Sequence, residues 1–360
     1  MREILPYRSI SDFRIFLTAA SSLTPARIRQ RGRILLSQCV AFLLFLSWFP
    51  CILSAQVQRL VVGHSAITPS QAILYVIKEA GIAAKYHLDL VPTFISGSRA
   101  AMALVAGDIS FLVTGAPTIV AAAARGGDIV IVAGLVNKVD YGFFASPDTR
   151  VPGDLKGSTI AITTFGDTSD FLTRFFLTRW GLNPEKDVVL LQSGAQPERF
   201  AALRSGRAKG TIIQVPNTLI ARRAGFTELL KPEDLNLDYQ GTIVSSTRSF
   251  LKTHAPVAKL FMQSLIEGIS FFKKNRAASL KTISKFLKLQ DTELTEESYR
   301  FYSNTVSPLP YPTLGGIQTI LDDKKRTDTA IAKLKSSSLT ETGILQEIER
   351  EGFANQFYGK

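Results

Sequence analysis

Between residues 59 and 246, short apolar runs alternate with stretches in which apolar side chains recur every three or four positions. The two patterns trade places at glycines, prolines and hydroxyl residues. Short runs of this kind read as buried strands, and the longer period reads as helices. The spacing predicts strands at 59–63, 88–94, 108–113, 128–133, 141–145, 159–163, 188–191, 210–214 and 242–246, with helices at 71–81, 99–106, 169–180 and 197–205 between them. Residues 107–134, GDISFLVTGAPTIVAAAARGGDIVIVAG, hold the unit in its plainest form: a strand, a Gly115-Ala116-Pro117 turn, an alanine-rich helix and a second strand. Gly115 lets the backbone turn, and Pro117 presets φ for a first helical turn. Such a unit implies a parallel pair joined by a right-handed crossover, with ligands at the carboxyl ends of the strands.

The unit recurs. Ala103-Leu104-Val105-Ala106-Gly107 aligns with Ala202-Leu203-Arg204-Ser205-Gly206 and, without a gap, brings Pro117 onto Pro216, Ala122 onto Ala221 and Gly126 onto Gly225. Helix, glycine, strand, proline and helix repeat in one order, which predicts two similar α/β lobes. After 246 the pattern is mainly helical, at 254–275, 278–287, 313–335 and 339–351, broken by Pro308-Leu309-Pro310-Tyr311-Pro312. Two crossings, near Tyr141 and near Ile243, would make a two-segment hinge. Lobe one is expected to be 57–142 plus 244–360, with lobe two, 143–243, inserted between.

The leader changes the picture of where this happens. Residues 34–53 are uncharged and apolar, follow Arg27, Arg29, Arg31 and Arg33, and end at Leu53-Ser54-Ala55. This pattern fits a signal peptide over 1–55, with an uncleaved N-terminal membrane anchor as the alternative, and either one exports the rest to the periplasm. Both cysteines, Cys39 and Cys51, lie in that run, so no disulfide, thiol nucleophile or thiolate metal site is available beyond it. Residues 1–55 hold seven Arg and two acids, leaving +7 of the formal +12 on the remainder. A mildly positive field suits anionic solutes, while no nucleic-acid motif accompanies the charge.

Several phrases in order resemble one family: LVVGHSAITPSQAILYVIKEAGIAAKYHLDL, ALVAGDISFLVTGAP, VPGDLKGSTIAITTFGDTSDFLTRFFLTRWGL, RFAALRSGRAKGTIIQVP and GTIVSSTRSFLKTHAPVAKLFMQSLIEG. They are similar to the periplasmic substrate-binding proteins of ABC importers, in the branch that binds nitrate, sulfonates, taurine and thiamine precursors. The resemblance implies a type II two-lobed α/β fold with a hinge and a helical C-terminal part. It also implies a monomer that holds a small polar, anionic or heterocyclic solute between its lobes. Delivery would be to a permease and an ATPase at the inner membrane, since this chain carries no Walker A motif. A binding protein for a membrane sensor is an alternative. A thiamine-pyrimidine-precursor enzyme of this fold is disfavoured, because its cysteine-rich motif is missing.

The turns at strand ends supply the candidate site. In lobe one these are Ser65, Thr68, Ser98, Gly115 and Ala116; in lobe two they are Thr164, Gly166 and Thr168, joined by Gln214 and Asn217 around Pro216. Hydroxyls, amides and helix N-termini there suit an anion or a strongly polar solute. Gly166 is expected to matter most, by letting a ligand approach the backbone. Phe94, Phe165 and Tyr141 are candidate walls. His64, His87 and His254 lack metal-ligand spacing, and no nucleophile, base and orienting group stand at recognisable spacing, so no metal, cofactor or catalytic residue is expected.

Overall fold

The computed structural model describes residues 57–326 and 328–359; the expected signal or anchor lies outside the described residues. The chain begins with β1 (Gln58–His64), α1 (Ile73–Glu79), α2 (Ile82–Lys85), β2 (Leu88–Phe94), α3 (Arg99–Ala106), β3 (Phe111–Gly115), α4 (Ala116–Ala124) and β4 (Ile129–Gly134). It then builds β5 (Gly142–Ala145), β6 (Thr159–Ile162), α5 (Thr168–Arg179), β7 (Val189–Gln192), α6 (Gln196–Arg204), β8 (Gly210–Ile213), α7 (Asn217–Arg223) and β9 (Thr227–Leu230), and returns as β10 (Thr242–Thr247).

Two five-stranded sheets result, ordered β2-β1-β3-β10-β4 and β7-β6-β8-β5-β9. Position for position these are the same plan, and in each the fourth strand is the one laid down where the chain crosses between sheets. The expected parallel pair of β3 and β4 is therefore split: β10 lies between them, antiparallel to both. The crossover through α4 still joins parallel strands, but across the gap that the returning chain fills. Gly107 and Gly206 end α3 and α6, and Gly126 and Gly225 follow α4 and α7, all four with positive φ. The sequence repeat thus marks the same left-handed helix ends in both halves. The matched Pro117 and Pro216 sit at equivalent strand-to-helix turns.

Inner strands are buried because helices cover both faces, as β8 is along its whole length, and the edge strand β4 is buried throughout as well. At the sheet edge β2 tolerates Pro92, which could not donate to a ladder on both sides. The strand β9, TELL, was not predicted: it is short and carries Glu228.

The C-terminal part comprises α8 (Arg248–Thr253), α9 (Ala255–Lys274), α10 (Arg276–Leu287), α11 (Thr292–Thr305), α12 (Leu314–Lys324), α13 (Gly343–Arg350) and α14 (Asn355–Tyr358). The helix expected over 313–335 stops at Lys324, and α11 was not separately anticipated. Helix α9 lays a continuous apolar face, including Phe261, Leu265, Ile266 and Ile269, on the first sheet and on α1. Gly268 makes that approach close, since any side chain there would overlap Ile77. A second core runs from Ile119 and Val120 on α4 through Phe171 and Phe176 on α5 to Ile317 and Ile320 on α12. Among the described residues no helix is long and apolar enough to cross a membrane.

Candidate functional site

The carboxyl ends of strands from both sheets meet around an enclosed cavity of about 30 Å³. The first sheet supplies Ser65, Ala66, Thr68 and Gln71 from the β1 turn, Gly97 from the β2 turn, and Gly115 and Thr118 from the β3 turn. The second supplies Thr163, Asp167, Thr168 and Ser169 after β6, Ala195, Gln196 and Arg199 after β7, and Gln214 after β8. Tyr141, Gly241 and Thr242, where the chain crosses, complete the wall.

On the first-sheet side every polar group is neutral. Ser65 Oγ donates to Thr114 Oγ1 at 2.8 Å, and Gln71 Oε1 accepts the Ala66 amide at 2.9 Å. Thr68 stands before Pro69 as expected, but the turn is a short 3-10 segment, Pro69–Gln71, and the hydroxyl bonds Ser70 Oγ at 3.1 Å instead of capping it. His64, just before this turn, faces away from the cavity. Its Nδ1 donates to the Ala66 carbonyl at 3.0 Å, so its Nε2 accepts from Tyr75 Oη at 3.0 Å, and burial lowers its pKa.

The second-sheet side carries charge. Asp167 caps α5: one carboxylate oxygen accepts the Asp170 amide at 3.0 Å and the Ser169 hydroxyl at 2.7 Å. Burial raises its pKa, with those two bonds opposing. Arg199 on α6 is only 3 % exposed. Its Nη1 donates to the Ile212 carbonyl and, at 3.3 Å, to Thr211 Oγ1, whereas its Nε has no partner. Burial lowers its pKa, yet a guanidinium keeps its proton in proteins. Thr168 Oγ1 is likewise buried and unpartnered.

Of the sequence-predicted residues, Ser65, Thr68, Gly115, Thr168 and Gln214 line the cavity and five do not. Ser98 and Thr164 meet each other instead: the Ser98 amide donates to Thr164 Oγ1 at 3.1 Å, joining the two halves next to the lining residues Gly97 and Thr163. Ala116 is fully buried, its amide donating to the Gly241 carbonyl at 3.0 Å. Asn217 begins α7, outside the lining. Gly166, expected to matter most, lies outside this lining: its amide donates to Asp170 Oδ2 at 2.9 Å, and the residue, at positive φ, faces two outer grooves. Phe94 and Phe165 also lie outside the cavity, while Tyr141 walls it.

Sequence reasoning missed Arg199, Gln196 and a hinge network behind Gln214. Gln214 Nε2 donates to Asp140 Oδ2 at 2.6 Å, and Tyr302 Oη on α11 donates to the same oxygen at 2.9 Å. The other oxygen of Asp140 has no partner, and burial pushes its pKa up to about 6. The available signal for Arg199 was position: it stands three residues into a helix that starts at a strand-end turn. Among the described residues no cluster of His, Cys, Asp and Glu could hold a metal.

Residues 68–278, more than half the chain, match the family model described as NMT1/THI5 like. No curated protein sequence matches significantly. Among solved structures, one from Bordetella bronchiseptica RB50 is similar at 18% identity and TM-score 0.71, covering 84% of this chain and 98% of the other. The alkanesulfonate-binding protein SsuA from Xanthomonas axonopodis pv. citri, bound to MOPS, follows at 19% and 0.67, covering 80% and 99%. The periplasmic nitrate-binding protein NrtA from Synechocystis PCC 6803 is similar at 17% and 0.67, covering 83% and 89%. These likenesses establish the two-lobed type II binding-protein fold.

Proposed function

The chain belongs to the NMT1/THI5-like family, and from that premise we propose that it is an exported solute-binding protein that closes two lobes on a small polar solute and passes it to an ABC permease. One observation carries the reading: among the described residues, strand-end turns from both sheets and the two crossing segments line the enclosed cavity. A solute there touches both halves, so it binds the closed arrangement better than any open one, which is the condition for a ligand to shift a hinge equilibrium. Lobe one is 57–142 with 244–360, and lobe two is 143–243.

Binding rather than catalysis fits the chemistry of the lining. Among the described residues the cavity lining holds hydroxyls, amides, one carboxylate and one guanidinium, with no cysteine or histidine, and the carboxylate that accepts the Ser169 hydroxyl is the cap of α5. A thermal-shift screen of small anions, sulfonates, aromatic carboxylates and pyrimidines on the secreted protein tests the reading. At least one class should raise the melting temperature in a concentration-dependent way. Silence across the screen, or turnover of a hit into product, would remove it.

A further inference from the structure

Resting on that solute-binding reading, we propose that Arg199 sets the charge of the solute, and that the cavity takes a compact monovalent oxyanion of about three or four heavy atoms. The guanidinium is buried, and among the described residues it forms no ion pair. A buried charge without a paired counter-charge is strongly unfavourable. The acids that act on it, after the Tyr141 phenol, are Asp167, on the same cavity wall and already engaged in capping α5, and the exposed Glu198, and neither is within ion-pair reach. The Arg199 bonds to Ile212 and Thr211 satisfy Nη1 and leave Nε open. An anion in the cavity supplies what is missing.

Two further observations give the same sign. Thr168 Oγ1 is a second buried polar atom without a partner on this wall, and a hydroxyl can donate to an anion. Helices α4, α5 and α6 also begin at the cavity, bringing the positive ends of their dipoles to it. Size and charge number follow from the same geometry. One water needs roughly 10–15 Å³ measured in this way, so a cavity of about 30 Å³ holds about two or three waters, or one small planar oxyanion. A single buried cation matches a single negative charge.

Isothermal titration of the secreted protein with acetate, nitrate, sulfate and acetamide tests this. Acetamide keeps the shape of acetate without its charge. Acetate or nitrate should bind about 100-fold more tightly than acetamide, and sulfate should bind more weakly than either. Arg199→Gln should remove about 100-fold of the anion affinity and leave acetamide within about threefold. Because Arg199 also holds Ile212 and Thr211, Thr168→Val gives a second test that spares those bonds, with an expected loss of about tenfold for the anion alone. Acetamide binding as tightly as acetate, sulfate outcompeting nitrate, or unchanged anion affinity in both variants would overturn the proposal. Should a neutral solute from the wider screen raise the melting temperature while every anion fails, the solute-binding reading stands and this inference falls. Silence in both experiments removes both.

Discussion

The two lobes share one strand plan but divide the work at the cavity. Lobe one presents Ser65, Thr68, Gln71, Gly97 and Gly115, all neutral, and lets its backbone come close; lobe two presents Asp167 and Arg199, both ionisable and both buried. The difference shows that a duplicated fold need not duplicate its chemistry. Helix N-termini and strand ends recur because topology places them, whereas a side chain such as Arg199 has no counterpart at the matching turn of lobe one. On the proposed reading, lobe two recognises the charge of the solute and lobe one closes over it.

The comparison breaks most severely at the lid. Gly115 has φ −85°, which any residue adopts, yet a side chain there would overlap Thr168 across the cavity. Gly115→Val should leave the melting temperature nearly unchanged and weaken solute binding about 1,000-fold, equivalent to losing roughly three hydrogen bonds. Calorimetry with any solute that stabilises the parent protein reads this, and near-parental affinity would mean that the lobes do not close over the site.

The hinge gives the next largest effect. Asp140 has a raised folded pKa, about 6, caused by burial. The sign follows from linkage: the protonated acid is the form the fold prefers, so its contribution is fully present below the ordinary carboxylate range and is lost as pH rises through about 6. An Asn Oδ1 accepts the same bonds from Gln214 and Tyr302. Asp140→Asn should therefore flatten the fall in stability between about pH 4 and pH 6 and gain about 3 kcal/mol at neutral pH. Melting curves across that range check it; parallel curves for the two proteins would show that Asp140 is ionised throughout. Lys138, Tyr141, Tyr239 and Tyr302 are the other titratable groups facing this carboxyl.

Smaller effects separate the contact between the halves beside the cavity from the outer surface. Thr164→Val removes the bonds to Ser98 that tie the lobes together and should weaken binding about tenfold with unchanged stability. Gly166→Ala should do the reverse. Its positive φ costs a side chain about 1 kcal/mol of stability, while affinity stays at the parental value because the residue faces outward. A binding defect in Gly166→Ala with normal stability would return that turn to the site.

Much of this was legible in the order of residues. The strand runs, the glycine-ended helices and the proline repeat foretell both sheets, because local propensity and burial agree there. Ser65, Thr68, Gly115, Thr168 and Gln214 follow from the rule that strand ends face the ligand. What the pattern could not supply is direction and pairing. Thr164 and Ser98 look like two ligand contacts but meet each other, and Gly166 looks like a close approach but satisfies Asp170 on its own helix. Arg199 sits in PERFAALR, where an arginine reads as solvated until the fold shows it turned against β8. Strand β10 between β3 and β4 is a long-range pairing that no local window contains.

Closure on a solute can be read directly by small-angle X-ray scattering of the protein, with and without the compound that stabilises it most, beside the Gly115→Val variant. The radius of gyration should fall on adding the compound to the parent protein and stay constant in the variant. Binding that leaves the parent's radius unchanged, or that contracts the variant equally, would contradict a site formed by the closing of two lobes.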